Sequence, residues 1–238
     1  MKSNPLKPHQ VAIIAATLTS LVLWAVPGLH LLMLPLQYLN THFHELSHAL
    51  VATATGGHVS TINVYADGSG VTNISGGNWF LAASAGYIGA AIIGAIIMQV
   101  GRNEKSAKVT LRALAVVLAF VMILWVRGDL AGILSGFAWV AALFYASSYA
   151  KGPTILFVAQ FIGIQQCLNA VHSLYELLQI SALTERVSDA KILENQTHIP
   201  AMAWAVLWCL FSLALVTLGL RRAWSTAASP PSRPAESR

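Results

Sequence analysis

The chain has 238 residues, of which 56% are hydrophobic and 10% are charged, and its mean hydropathy is +0.64. So few charges cannot coat a soluble globular protein of this length, so the composition predicts an integral membrane protein. The formal net charge of +5 does not indicate a nucleic-acid partner, because Lys and Arg lie at the ends of apolar segments, where lipid headgroups and topology account for them.

Apolar segments long enough to cross a bilayer, about 17 to 25 residues each, recur along the chain and predict about seven transmembrane helices. Pro27-Gly28 separates the first segment from the second. The predicted spans are 10–26, 29–54, 79–100, 109–126, 130–149, 153–180 and 199–220. We therefore expect an all-α polytopic membrane protein with a single transmembrane domain over 1–224. The tail 225–238 is rich in Ser, Pro and Ala and is expected to be disordered.

The segment at about 57–75 differs in kind from its apolar neighbours. His58 to Tyr65 is rich in β-branched residues of mixed polarity, the sequence from Ala66 to Gly70 is typical of a turn, and Val71 to Ile74 is extended again. This pattern predicts a β-hairpin after the second span. Because unpaired strands cannot face lipid, we expect it at the membrane interface or packed against protein.

The second span contains the motif His44-Glu45-Leu46-Ser47-His48. On a helix the two imidazoles lie at positions i and i+4 of one face, where both can bind one divalent metal. Glu45 lies beside that face and can reach a metal-bound water as a general base. The alternative is a pair of histidines bonded to neighbouring helices, with Glu45 in a salt bridge or a structural hydrogen bond. A metal is favoured because it satisfies all three polar groups inside a membrane.

Catalytic zinc takes three protein ligands and a water, so a third ligand is required. The second span brings the motif to one membrane face, and four further spans return the chain to that face at the polar segment from Thr184 to His198. Asp189 therefore lies on the same side as the motif. Its alternative role is at the N-cap of a short helix, with Ser188 or Asp189 as the capping residue.

Other carboxylates compete for the third position. Asp129 is on the same face, although pairing with Arg127 is its preferred explanation. Glu176 shares a polar stripe with Asn169 and His172 in the sixth span, for which an interhelical network is preferred. Asp67 is explained by its place in an Asp-Gly turn.

The distribution of Lys and Arg favours an orientation with the N-terminus outside and the C-terminus inside. With seven crossings, nine of the 14 basic residues lie on the inner face and five on the outer face. The two termini are then expected on opposite sides of the membrane.

Beyond the metal motif, further short motifs follow in order along the chain. They are His44-Glu45-Leu46-Ser47-His48-Ala49, Thr55-Gly56-Gly57, Asp67-Gly68-Ser69-Gly70, Ala85-Gly86-Tyr87-Ile88-Gly89, Ser188-Asp189-Ala190, Ile199-Pro200 and Trp204. The series, from about Leu36 to Trp208, resembles the peptidase M50B-like proteins, which belong with the site-2 protease type of intramembrane zinc metalloproteases. In site-2 proteases, however, the ligand aspartate stands in an Asn/Pro/Leu-Asp-Gly setting within a span, unlike Ser188-Asp189-Ala190.

The resemblance implies Zn²⁺ held by His44, His48 and Asp189, with Glu45 as the general base. It also implies an intramembrane metalloendopeptidase that cleaves membrane-protein or peptide substrates, as a multi-pass protein of the plasma membrane. The alternative is a membrane metal-binding scaffold or metal carrier without protease activity. A carrier needs several ligand sites along a path, whereas the sequence has one tight cluster, which favours catalysis.

Overall fold

The computed structural model describes residues 5–26, 28–180 and 188–225, without the side chains of 30–31, 169–170 and 172–180. The described chain is mostly helical, with one small antiparallel sheet. Its elements are α1 (Pro8–Ala25), α2 (His30–Ala54), β1 (His58–Val64), β2 (Gly70–Ser75), α3 (Trp79–Val100), α4 (Glu104–Leu124), α5 (Leu130–Tyr149), α6 (Gly152–Ile180), α7 (Asp189–Thr197) and α8 (Ala201–Trp224). The helical class and the hairpin after the second helix are confirmed. The predicted disordered tail lies outside the described residues, except for Ser225.

Within this described part, five helices are long and apolar enough to cross a membrane, namely α1, α3, α4, α5 and α8. Their outward surfaces are apolar, as at Phe120, Ile123 and Leu210, which are exposed in the isolated chain and suited to lipid. The protein is therefore an integral membrane protein. α2 is long but carries the polar motif, and the apolar part of α6 is the shorter stretch Gly152–Leu168. The count of seven complete spans is not confirmed.

Helix α3 lies at the centre of the bundle and packs against α2, α6 and α8. Small residues allow the close approach. A Cβ atom on Gly94 would lie 2.7 Å from Cys167 Sγ in α6, and one on Gly89 would collide with the side chain of Ser47 in α2. Gly89 and Gly94 therefore serve close helix packing.

The hairpin is paired along β1 on both sides. On one side β1 pairs with β2, with Ile62 opposite Thr72. On the other side the Ile62 N–H donates to the Trp125 carbonyl at 2.8 Å, and the Arg127 N–H donates to the Ile62 carbonyl at 2.9 Å. The connection between α4 and α5 thus pairs with the second edge of β1 at Ile62. The hairpin is packed against protein, as the rule on unpaired strands predicts.

The first helix begins beside the end of the last helix. The Gln10 side-chain amide donates to the Trp224 carbonyl at 3.2 Å, and Ile13 and Ala16 share a core cluster with Ala223. An odd number of complete crossings would separate these helix ends by the full thickness of the membrane. The predicted orientation, with the termini on opposite faces, therefore disagrees with the structure. That prediction treated every apolar segment as a complete crossing. However, a short turn joins the end of α1 to the start of α2, and the sequence does not determine how deep in the membrane this turn lies.

Candidate metal centre

Helix α2 brings its two motif histidines together one turn apart. The ring centroids of His44 and His48 are 4.7 Å apart, with the ring planes at 78°. Their side chains are only 10% and 7% exposed. Ligand atoms of His44, Glu45 and His48 all lie within 4.8 Å of one another. The i, i+4 spacing thus produces one compact, buried group of nitrogen and oxygen donors.

A backbone contact orients His48. Its Nδ1 lies 2.6 Å from the Ala82 carbonyl oxygen in the first turn of α3. A carbonyl oxygen only accepts, so Nδ1 carries a proton, and in the neutral form of the ring Nε2 is the nitrogen that offers a lone pair to a metal. A ring nitrogen bound in this way is typical of histidines that coordinate a metal through the other nitrogen.

Asp189 meets both histidines from α7. Its Oδ2 lies 3.0 Å from His44 Nε2 and 3.3 Å from His48 Nε2, and its side chain is 19% exposed. Ser188, not Asp189, caps α7, because the Ser188 side chain accepts from the Lys191 N–H at 3.2 Å. The Asp189 carboxylate is thus left to face the imidazoles.

These three side chains fit a zinc ion. Donors held about 2.0–2.2 Å from a tetrahedral zinc lie roughly 3.3 Å from one another, close to the separations between Asp189 and the two imidazoles. Two imidazole nitrogens and one carboxylate oxygen form a donor set that catalytic zinc sites use. Burial alone would raise the pKa of Asp189, but the His48 and His44 imidazoles outweigh burial and hold that pKa below its usual range.

Asp129, one of the competing carboxylates, has another partner. Asp129 caps α5 by accepting from the Ala131 N–H at 2.8 Å. Arg127 donates instead to main-chain carbonyls at the end of α4, including that of Val126 at 2.7 Å. The predicted Asp129–Arg127 ion pair is therefore wrong, because local main-chain groups satisfy both side chains first.

The remaining acidic candidates are Asp67 and Glu176. Asp67 accepts from the Ser69 N–H at 3.0 Å, as expected of a turn residue. The side chain of Glu176, like those of Asn169 and His172, lies outside the described residues.

Two residues of helix α3, Gly86 and Tyr87, line the histidine cluster, and the sequence did not reveal this role. A Cβ on Gly86 would lie 2.6 Å from His48 Nε2 and would also collide with the His44 ring. The adjacent Tyr87 ring meets the His44 ring edge-on, with centroids 4.5 Å apart, and stacks on Trp208. The Ala85-Gly86-Tyr87 motif was the available sequence signal, but it did not indicate a contact with the histidines.

The hairpin contacts the third member of the motif. Glu45 is 4% exposed, and its Oε2 accepts from the Thr72 hydroxyl at 2.6 Å. Gly70, two residues earlier on β2, leaves room for the carboxylate, since a Cβ there would lie 2.6 Å from Glu45 Oε1. The strand period of two was the sequence signal that Gly70 and Thr72 lie on one face of β2, but it did not indicate which helix that face contacts.

The described fold and this cluster define a multi-pass membrane protein with a buried group of two histidines, a glutamate and an aspartate. The model of the peptidase M50B-like family matches residues 13–219, most of the chain, and the chain belongs to that family. No curated protein and no solved structure matches the chain. Membership of this family indicates a peptidase.

Proposed function

We propose that this protein is an intramembrane zinc metalloendopeptidase of the plasma membrane, which hydrolyses peptide bonds of membrane-associated proteins or peptides. The observation that carries the proposal is the position of Asp189, 3.0 Å from His44 Nε2 and 3.3 Å from His48 Nε2. Two imidazoles alone are common in structural networks, whereas a carboxylate arriving from a distant helix completes the three ligands of a catalytic zinc.

In the proposed site, His44, His48 and Asp189 hold the ion. When bound, zinc supplies a Lewis acid that polarises the substrate carbonyl and lowers the pKa of water. Glu45 takes the proton from the attacking water. It then gives that proton to the leaving nitrogen, because an amine leaves far more readily than an unprotonated amide nitrogen.

The surroundings of the cluster suit this chemistry. All three motif residues, His44, Glu45 and His48, are buried, so interactions between charges are stronger there than in water. The site lies among helices apolar enough for the bilayer, which supports a substrate that is itself in or beside the membrane.

The test compares Glu45→Gln with Glu104→Gln, a matched change at an exposed carboxylate that is paired with Lys108. Purified protein is assayed for bound zinc and for cleavage of a pool of internally quenched, single-span synthetic peptides. We expect Glu45→Gln to keep one zinc per chain and lose cleavage, while Glu104→Gln keeps both. Cleavage by Glu45→Gln would overturn its assignment as the base.

The same preparations separate the peptidase from a metal carrier or scaffold. A peptidase holds one zinc and cleaves peptides. Several ions per chain with zinc flux into vesicles would indicate the carrier, and one zinc with no cleavage by the unmodified protein would indicate the scaffold.

A further inference from the structure

Strand β2 turns one of its two faces toward helix α2. Gly70, Thr72 and Ile74 are half-buried, whereas the intervening residues Val71 and Asn73 are exposed. This is the period of two that a strand shows when one side packs against protein. The packed side brings Thr72 and Gly70 to Glu45, so the hairpin contacts the motif through residues of β2.

The contact between Thr72 and Glu45 is short and directional. Thr72 Oγ1 lies 2.6 Å from Glu45 Oε2 and 3.1 Å from the Glu45 main-chain carbonyl oxygen. The hydroxyl has one proton, and a carboxylate only accepts. The shorter distance is typical of a charge-assisted O–H···O⁻ bond, so the hydroxyl donates to the carboxylate.

The tip of the hairpin, which precedes Thr72, is attached to α2. There the Tyr38 hydroxyl donates to the Ala66 carbonyl at 2.7 Å, and the Thr41 hydroxyl donates to the Gly68 carbonyl at 2.6 Å. Thr72 therefore occupies a fixed position relative to Glu45.

The base of the hairpin is attached as well. The Gly57 N–H donates to the Ala52 carbonyl at 2.8 Å, and the Asn78 N–H donates to Thr55 Oγ1 at 2.9 Å. Both attachments lie at the C-terminal end of α2, so the strand is held on either side of Thr72.

A glutamate side chain has several rotatable bonds, and a general base is effective only when its carboxylate is held in reach of the proton it removes. We propose that Thr72 is a positioning residue, whose hydroxyl fixes the Glu45 carboxylate beside the His44–His48 face. The hairpin is then a part of the catalytic apparatus. This inference rests on the proposed function, in which Glu45 is the base.

Three variants test the role of Thr72. Thr72→Val removes the hydroxyl and keeps the shape and the strand preference, whereas Thr72→Ser keeps the hydroxyl. The matched control is Thr61→Val in β1, whose hydroxyl accepts from the Asn73 amide at 2.8 Å on the outer side of the hairpin. Each purified variant is assayed for bound zinc and for kcat and KM on the quenched single-span peptides.

We expect Thr72→Val to lower kcat on the order of 10- to 100-fold, with KM within about twofold and bound zinc unchanged. Thr72→Ser should recover kcat to within about threefold of the unmodified protein, since its hydroxyl can make the same bond. Thr61→Val should behave like the unmodified protein. An unchanged kcat in Thr72→Val, or an equal loss in Thr72→Ser and Thr72→Val, would overturn the positioning role.

A second measurement does not depend on cleavage. Thermal unfolding in detergent is compared for Thr72→Val, Glu45→Ala and the double variant, and a bonded pair gives shifts that do not add. We expect Thr72→Val to lower the melting temperature of the unmodified protein and to leave that of Glu45→Ala unchanged. Additive shifts would overturn the Thr72–Glu45 contact. If the unmodified protein cleaves nothing, the proposed function fails, and this cycle still decides the contact.

Discussion

The carboxylate of Asp189 lies 3.0 Å from His44 Nε2, although 145 residues separate them in the chain. Helices α3, α4, α5 and α6 occupy the interval, and they return the chain to the membrane depth at which α2 presents its histidines. The polar segment after α6 then begins a new helix, α7, whose first residue is Asp189. A site assembled in this way depends on the bundle as a whole, so its ligands can be tested separately from the local motif.

Asp189→Asn removes the negative charge and leaves a side chain of the same shape. A neutral amide oxygen is a much poorer zinc ligand than a carboxylate, so we expect zinc affinity to fall by at least about 100-fold. The measurement is competition with a chromophoric chelator, followed by metal analysis. The control is Glu194→Gln on the same helix, a residue bonded to Lys191 and to the Ala201 N–H. Equal zinc affinity in the two variants would contradict Asp189 as a ligand.

Gly86→Ala tests the close contact between α3 and the two histidines. The new methyl group would lie 2.6 Å from His48 Nε2 and would also collide with His44, so the imidazoles could not keep their positions. We expect loss of bound zinc with the helices retained, measured by metal analysis and circular dichroism. Gly219→Ala in α8 is the control, because its methyl would meet the flexible end of Met98, 2.7 Å away. Full zinc occupancy in Gly86→Ala would show that the site has more room than the structure gives it.

The hairpin and the candidate metal ligands illustrate what the sequence could determine. The hairpin was predicted at about 57–75 and runs from His58 to Ser75, because turn residues and β-branched residues act locally. Asp189 was placed on the correct face because that step used only the four helices between the motif and α7. The start of α1 and the end of α8 were predicted on opposite faces, whereas Gln10 contacts Trp224. Their relative side depends also on α1 and α2, and the sequence does not determine how deeply these two helices enter the membrane.

Individual side-chain hydrogen bonds could not be predicted from the sequence. Asp129 was expected to pair with Arg127, yet it caps α5 by accepting from the Ala131 N–H at 2.8 Å. The Thr72–Glu45 bond depends on how the hairpin lies on α2, which neither segment specifies alone. The exact hydrogen-bond partner of each side chain, near or distant in the chain, is therefore the part that required the structure.

The attachment of the hairpin tip gives a further prediction. Tyr38→Phe combined with Thr41→Val removes the two hydroxyl donors to the Ala66 and Gly68 carbonyls, at about 0.5–1.5 kcal/mol each. We expect the main-chain amides of 66–70 to exchange hydrogen faster, because the tip opens more often. Exchange is measured by mass spectrometry, with Tyr145→Phe on the exposed side of α5 as the control. Unchanged exchange at the tip would mean that other contacts hold the hairpin.

The position of Gln10 against Trp224 predicts that the two ends of the described chain are reached from the same side of the membrane. Single cysteines are introduced as Lys7→Cys, Ser225→Cys or Ser75→Cys, in a chain whose buried Cys167 and Cys209 are replaced by Ser. Sealed vesicles are then treated with a thiol reagent that cannot cross the membrane. We expect cysteines at 7 and 225 to react from one side and that at 75 from the other, because α3 crosses the bilayer between the hairpin and the bundle end where α8 finishes. Labelling of 7 and 225 from opposite sides would restore an odd number of crossings and contradict the packing of α1 against α8.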